Sequence, residues 1–266
     1  MTATPLDLPP GTKPGSLILP ARAFIGRWKG PRQPLAPVPP VAYGLVAAWI
    51  VAMIAVALLF DAKIARYMDG LEPIVRVIFE KITRIGTSGY VFATTILACL
   101  GALVFYVRRH GLARARAGLV AGRAFYLFAV CAVSGLASQL MKLPIGRPRP
   151  FLIDTFGPFG FHPFMFNAKF ASFPSGHTIT VFAMAAAIGF LAPRLRWPLF
   201  IVAVLVAISR LVLGSHYLSD TMGGALIGLA SAFILRRLFA RRRIVFETEG
   251  NRIVPRLLPK KLSAAG

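Results

Sequence analysis

Acid is what this sequence has least of: 9 Asp and Glu stand against 31 Lys and Arg, a net charge of +22. Charge of either sign is scarce, at 15% of residues against 56% hydrophobic, where a soluble domain carries about 25% charged residues. That combination excludes an ordinary cytosolic enzyme. It also excludes a disordered basic tail, which would lack the apolar content. Cysteine is nearly absent, and both Cys99 and Cys131 lie within apolar runs, which argues against a disulfide scaffold or a thiolate metal site. The arginine excess suggests a nucleic-acid partner only until the charges are placed along the chain.

Residues 1–40 hold ten of the 21 prolines and no basic stretch leading into an apolar one. They read as an extended N-terminal arm rather than a cleaved signal peptide. Within the arm, Leu17, Ile18, Leu19, Phe24, Ile25 and Trp28 alternate with Arg22, Arg27 and Lys29, a pattern suited to lying on a membrane surface. Val41–Phe60 is then twenty residues without a charge. As a helix it is about 30 Å long, the thickness of a bilayer core. Tyr90–Val107, Ala124–Leu140, Thr178–Ala192, Trp197–Ile208 and Thr221–Leu235 follow. The fourth and fifth of these six runs are short and reach spanning length only if their helices continue into flanking polar motifs. A water-soluble bundle would show amphipathic stripes, whereas these runs are apolar all round. The expected fold is all-α: six transmembrane helices over 41–239, then a basic cytoplasmic tail at 240–266.

The charges orient the bundle. Segments 1–40, 108–123, 194–196 and 236–266 carry 21 Lys and Arg, and the segments between them carry ten. Six of the nine acids lie on the poorer side. The positive-inside tendency therefore puts both termini in the cytoplasm. The basic excess becomes an orientation signal and a contact with anionic lipid, with no nucleic-acid partner. Leu71, Ile74, Val75, Ile78, Ile82 and Ile85 fall on one helical face of 71–85, with Glu72–Arg76 and Glu80–Arg84 at i,i+4 on the other. This predicts an amphipathic helix at the outer membrane–water boundary.

Three polar clusters interrupt the apolar runs, all on the non-cytoplasmic side, at a depth where ionisable groups are costly and mark function. Lys142 and Arg147-Pro148-Arg149-Pro150 follow the third run; Pro174-Ser175-Gly176-His177 opens the fourth; Ser209-Arg210, His216 and Asp220 join the fifth and sixth. Lys142, Arg149 and Arg210 bring together three cations with few acids to neutralise them, and guanidinium forks match phosphate oxygens two at a time. The competing reading is that each snorkels to lipid headgroups. Ser175 is placed to cap a helix and Gly176 to leave its N–H open, so the helix start is an anion site. Simple capping would need Ser175 but not His177. His216 and Asp220 stand at i,i+4, where a carboxylate can hold an imidazole and raise the basicity of its free nitrogen. The remaining histidines, His110 and His162, lie far from any carboxylate pair, so no metal site is expected.

Together these read Lys142-x6-Arg149-Pro150, Pro174-Ser175-Gly176-His177 and Ser209-Arg210-x5-His216-x3-Asp220. The pattern resembles the three-part signature of the type-2 phosphatidic acid phosphatase and vanadium haloperoxidase superfamily. Order and gaps match over 142–220, and the six-helix layout resembles the membrane lipid phosphatase branch. The resemblance implies that His216 is the nucleophile, forming a phospho-histidine, that Asp220 orients it, and that His177 is the general acid. It implies that Lys142, Arg149, Arg210, Ser175 and the Gly176 amide hold the phosphoryl oxygens without metal or other cofactor. Arg147-Pro148 repeats the Arg-Pro element two residues early, and Arg147 is expected to touch the substrate headgroup.

Residues 151–173 contain eight phenylalanines, either lining an entrance for acyl or prenyl chains or packing on the first two helices. Gly224-x3-Gly228 is expected to serve helix packing. An outward site with an apolar approach favours a lipid phosphate or pyrophosphate, and the Gly-Arg-Pro-Arg-Pro stretch with the Phe-rich loop resembles lipid A phosphatases. Undecaprenyl diphosphate, phosphatidylglycerophosphate and phosphatidic acid are alternative substrates. A lipid phosphotransferase would use the same residues, and a non-catalytic membrane scaffold is the alternative of another class. The 23 Arg against 8 Lys fit a high-GC bacterium and hence an inner membrane.

Overall fold

The structure, a computed structural model, describes residues 32–257 together with Gly26 and Gly30. The surface segment expected at 17–29 falls, Gly26 apart, outside the described residues. The α-helices described are α1 (Pro40–Leu59), α2 (Asp61–Asp69), α3 (Pro73–Thr83), α4 (Ser88–Arg108), α5 (Gly111–Ile145), the single turn α6 (Ile153–Phe156), α7 (Gly176–Leu191), α8 (Arg196–Val212) and α9 (Leu218–Arg241). An antiparallel hairpin, β1 (Phe246–Glu249) and β2 (Arg252–Pro255), follows.

Among the described residues, five stretches are long and apolar enough to cross a membrane: Pro40–Leu59, Pro73–Arg108, Gly111–Phe156, Pro193–Val212 and Leu218–Arg241. The remaining expected span, α7, has 16 residues and falls short on length. α1 has no buried residue, with Val41, Leu45, Val51 and Leu58 all open. A helix that is apolar all round and touches protein along one side only, as where Trp49 donates to the Met222 carbonyl at 3.2 Å, needs lipid around the rest. As expected for the short runs, α8 continues through Ser209 and Arg210.

Two stretches depart from the sequence reading. The loop expected at 108–123 is a break at Arg109–His110 followed by the first turns of α5, whose Ala, Leu and Arg residues favour helix. At 35 residues, α5 is about 52 Å long. The segment 240–266 is not only a tail. Ile244, Val245 and Phe246 are buried against Tyr126 and Phe239 in the main core, anchoring the hairpin there. The strand pairing lacked a strong signal because Glu247, Glu249 and Arg252 give the segment a charged look.

The core explains how α7 sits between α5 and α9. Its inner face is Ala183, Ala186 and Ala187, packed on Tyr126 and Val130 of α5 and on Ala232 and Leu235 of α9. The Tyr126 hydroxyl donates to the Ala232 carbonyl at 3.1 Å. Gly224 and Gly228 bring α9 onto α7 so closely that a Cβ at Gly228 would lie 2.5 Å from the Ile179 carbonyl oxygen and one at Gly224 2.8 Å from that of Ser175. The small-residue pattern is thus packing, and it fixes the distance between the starts of the two helices. Gly228→Ala should therefore lower the melting temperature in detergent by the equivalent of about 1–3 kcal/mol, the usual cost of overpacking. Gly101→Ala on α4, with open space around it, should be neutral or stabilising. Equal behaviour of the two variants would contradict this packing.

Candidate active site

The site is built where α5 ends and α7 and α9 begin. α5 stops at Gly146, which adopts φ +58 and returns its N–H to the Lys142 carbonyl. A side chain there would collide with the His162 backbone, since a Cβ would lie 1.8 Å from its carbonyl oxygen. His162 N–H in turn donates to the Gly146 carbonyl at 2.8 Å, and Phe164 N–H to that of Leu143 at 2.7 Å. The Phe-rich loop is thereby folded back over the end of α5. Phe151, Phe156, Phe159, Phe161, Phe164 and Phe166 are exposed, whereas Phe170 is buried. Phe156 lies edge-on to both His162 and Phe170, at 5.0 and 5.3 Å between ring centroids.

Arg147 corrects an expectation. It is 3% exposed, too enclosed to reach a headgroup. Its Nη2 donates to Asp61 Oδ2 at 2.8 Å, and its Nη1 to Asp220 Oδ1 at 2.6 Å and Ser219 Oγ at 2.7 Å. Its Nε donates to the Pro158 carbonyl at 3.1 Å, and its guanidinium lies 4.3 Å from the Tyr217 ring centroid. Both carboxylates are fully buried. Asp61 also accepts from Ser219 N–H at 3.0 Å and from the Ser219 hydroxyl. Arg147 and Asp61 thus tie the end of α5 and the start of α2 to the first turn of α9.

Asp220 sits at the third position of α9 in a capping box, where its Oδ2 accepts from Tyr217 N–H at 2.8 Å and from Ser172 Oγ at 2.6 Å. His216 precedes the helix, so the pair does not share a helical face. Its Nδ1 lies 2.7 Å from the Ser172 carbonyl and 3.8 Å from Asp220 Oδ2. A carbonyl can only accept, so in the neutral ring Nδ1 carries the hydrogen and Nε2 keeps its lone pair. Burial pushes the His216 imidazole down to about 4, so it is neutral at physiological pH. Asp220 therefore holds His216 indirectly, through Ser172 and the Tyr217 amide, with its charge nearby. This differs from the direct hydrogen bond expected from the spacing.

At the start of α7, Ser175 occupies the cap position but caps nothing with its side chain. Its hydroxyl accepts from Thr178 Oγ1 at 3.0 Å, and its N–H donates to the Asp220 carbonyl at 3.1 Å. The first amides of α7 are left without a capping side chain, at the positive end of the helix dipole. Lys142 Nζ lies 3.5 Å from where a Cβ on Gly176 would stand. His177 is in the first turn, backed by Gly86, at which a Cβ would come within 3.2 Å of the imidazole.

Lys142, Arg149, His177, Arg210 and His216 are close enough for their charges to act on one another. Among the described residues, Lys142, Arg149 and Arg210 make no ion pair with a carboxylate. Arg210 is buried, held by Thr83 Oγ1 at 2.7 Å. The Nε atoms of Arg149 and Arg210 are enclosed without a hydrogen-bond partner. These cations, two of them with an unsatisfied Nε, stand near an open helix start, an arrangement suited to an oxyanion of high charge.

Sequence reasoning missed Asp61, Ser172, Ser219 and Thr83. Asp61 carried a signal, as the acid that ends the first apolar run. The serines carried none, because their roles come from a loop folding onto α9. Thr83 lies on α3, a helix close to the amphipathic one expected, where Glu80–Arg84 pairs at 3.7 Å but Arg76 turns instead to Asp69 at 3.0 Å.

A family model described as the PAP2 superfamily matches residues 123–244. A lipid A 1-phosphatase of Rhizobium johnstonii is 34% identical over 74% of this chain and 80% of its own. One of Rhizobium etli is 33% identical over 76% and 88%. The fold is similar to that of a transmembrane PAP2-type phosphatidylglycerolphosphate phosphatase of Bacillus subtilis, with a TM-score of 0.53 at 22% identity over 74% of this chain and 94% of that one.

Asp61→Asn keeps the shape of the Arg147 network but removes one of its charges. The expected result is a loss of about 2 kcal/mol in stability. It should also bring a fall in kcat of about tenfold to a hundredfold, as the His216 loop shifts by a fraction of an ångström, with KM little changed. Wild-type kcat and melting temperature in detergent would remove Asp61 from the network.

Proposed function

The chain is a member of the PAP2 superfamily, and from that premise we propose that it removes a phosphate from lipid A through a phospho-histidine formed on His216. The chain is a membrane lipid phosphatase, a phosphoric monoester hydrolase. The observation that carries the finer reading is the set of three cations without carboxylate partners around the open start of α7, beside a neutral His216.

In this reading the phosphate monoester enters past the exposed phenylalanines. Its oxygens are taken by Lys142, Arg149, Arg210, Ser175 and the Gly176 amide. The His216 Nε2 lone pair attacks phosphorus, and the bond to the lipid oxygen breaks. His177, drawn into its protonated form by the bound phosphate dianion, donates its proton to that oxygen. Water, giving a proton back to His177, then attacks the phospho-histidine and frees phosphate. Asp220 offsets the positive charge on the phosphorylated ring and keeps the loop in register. No step calls for a metal.

The same reading takes α7 as a sixth, short crossing helix, with the catalytic end on the periplasmic face of a bacterial inner membrane. Arg108, Arg109, Arg194, Arg196 and the arginines of 236–243 cluster at the other end, which supports cytoplasmic termini. The lipid A named for the two Rhizobium relatives and the exposed phenylalanines of 151–166 support lipid A over a soluble ester.

The test is phosphate release by the detergent-purified protein in EDTA, with lipid A, undecaprenyl diphosphate, phosphatidylglycerophosphate and phosphatidic acid. Lipid A should be preferred, and His216→Ala should lose about 10⁴-fold or more in kcat while remaining folded. Wild-type rates in His216→Ala, or inhibition by EDTA reversed by magnesium, would contradict the mechanism. Preference for another lipid would move the substrate while leaving the chemistry.

A further inference from the structure

The catalytic groups occupy one end of α7, α8 and α9. The same three helices carry a second set of charges at the other end. From His177 to Phe190 along α7, and from Asp220 to Arg236 along α9, the ends are about 20–24 Å apart. At this far end a groove of about 540 Å3 opens between α7, α8, α9, the hairpin and the chain entering α1. That is within the size range of small-ligand sites. Arg196, Arg236, Arg237 and Arg252 line it together with Phe190 and Phe233, and no acidic residue is among its walls.

None of the four arginines pairs with a carboxylate among the described residues. This holds even for Arg252, which stands across the hairpin from Glu249. A snorkelling arginine keeps its head loose in water. Two of these are fixed instead. Arg236 donates from Nη2 to the Ile253 carbonyl and lies 4.4 Å from the Phe190 ring centroid, while Arg237 Nη2 donates to the Ala36 carbonyl at 2.6 Å. Each is held along one edge with the rest of its fork uncommitted, and Arg236 Nε is enclosed without a partner. Holding like charges together in this way is unfavourable unless an anion joins them.

We propose that this groove binds the phosphate headgroup of an anionic phospholipid, with the four arginines on the phosphate oxygens and the acyl chains passing over Phe190 and Phe233. Guanidinium forks fit phosphate, and basic pockets between membrane helices on the cytoplasmic side are suited to such headgroups. The aromatic wall favours a lipid over free phosphate. The site stands apart from the catalytic cluster and depends only on the chain being a membrane protein.

The experiment exchanges the detergent-purified protein with phosphatidylglycerol or phosphatidylcholine and measures retained lipid by native mass spectrometry. R196Q/R252Q changes two exposed side chains, and its melting temperature reports folding. Phosphatidylglycerol should be retained over phosphatidylcholine, and retention should fall at least about tenfold in R196Q/R252Q. Arg149→Gln, at the catalytic end, should keep it, and millimolar inorganic phosphate should not displace it. Four results would overturn the proposal: equal retention of both lipids, undiminished retention in R196Q/R252Q, loss in Arg149→Gln instead, or displacement by inorganic phosphate.

Discussion

Arg147 is buried between two buried carboxylates, Asp61 at 2.8 Å and Asp220 at 2.6 Å, and the rest of the catalytic end is arranged around that contact. A guanidinium taken out of water is tolerated only when paired and hydrogen-bonded on every side, and removing one partner of such a network typically costs about 3–5 kcal/mol. Four segments meet there: the end of α5, the start of α2, the 172–175 turn and the first turn of α9. The network therefore joins parts of the chain far apart in sequence. It also determines where His216 stands, because Asp220 holds both Ser172, whose carbonyl takes His216 Nδ1, and the amide of Tyr217.

The same arrangement sets the charge of the site. Asp61 and Asp220 are spent on Arg147, which leaves Lys142, Arg149 and Arg210 without acids of their own. Taking the four cations with the two carboxylates, and the histidines as neutral, the cluster holds two positive charges in excess. A phosphate monoester dianion brings the two negative charges that would balance them. The open start of α7 adds backbone donors on the same side. The Nε atoms of Arg149 and Arg210 are enclosed without a hydrogen-bond partner among the described residues, so a bound phosphate would relieve mutual repulsion as well as form hydrogen bonds.

Much of this was legible in the sequence, and what was not has a physical reason. The apolar runs placed α1 and α4 to within two residues, because a helix facing lipid is apolar all round. The three polar clusters stood out because charge at that depth is rare. The residues they named are brought together, but two details depended on packing that spacing does not encode. Arg147 duplicates an Arg-Pro element and looks equivalent to Arg149, yet one arginine is consumed by Asp61 and Asp220 and the other is free of carboxylates. His216 and Asp220 are four apart, yet the helix begins after His216, so the link between them runs through Ser172. The hairpin after α9 was hidden by its charges, and the helical start of α5 by arginines that read as a loop.

The proposed chemistry turns on attack of phosphorus by His216. The most direct measurement is rapid quenching of the protein mixed with lipid labelled on its phosphate, in EDTA, followed by mapping of any labelled peptide. The expected result is an acid-labile, alkali-stable phosphoryl group on His216 that accumulates within the first turnover and decays as free phosphate appears. Turnover with no phosphoenzyme, or with the label on another residue, would contradict it.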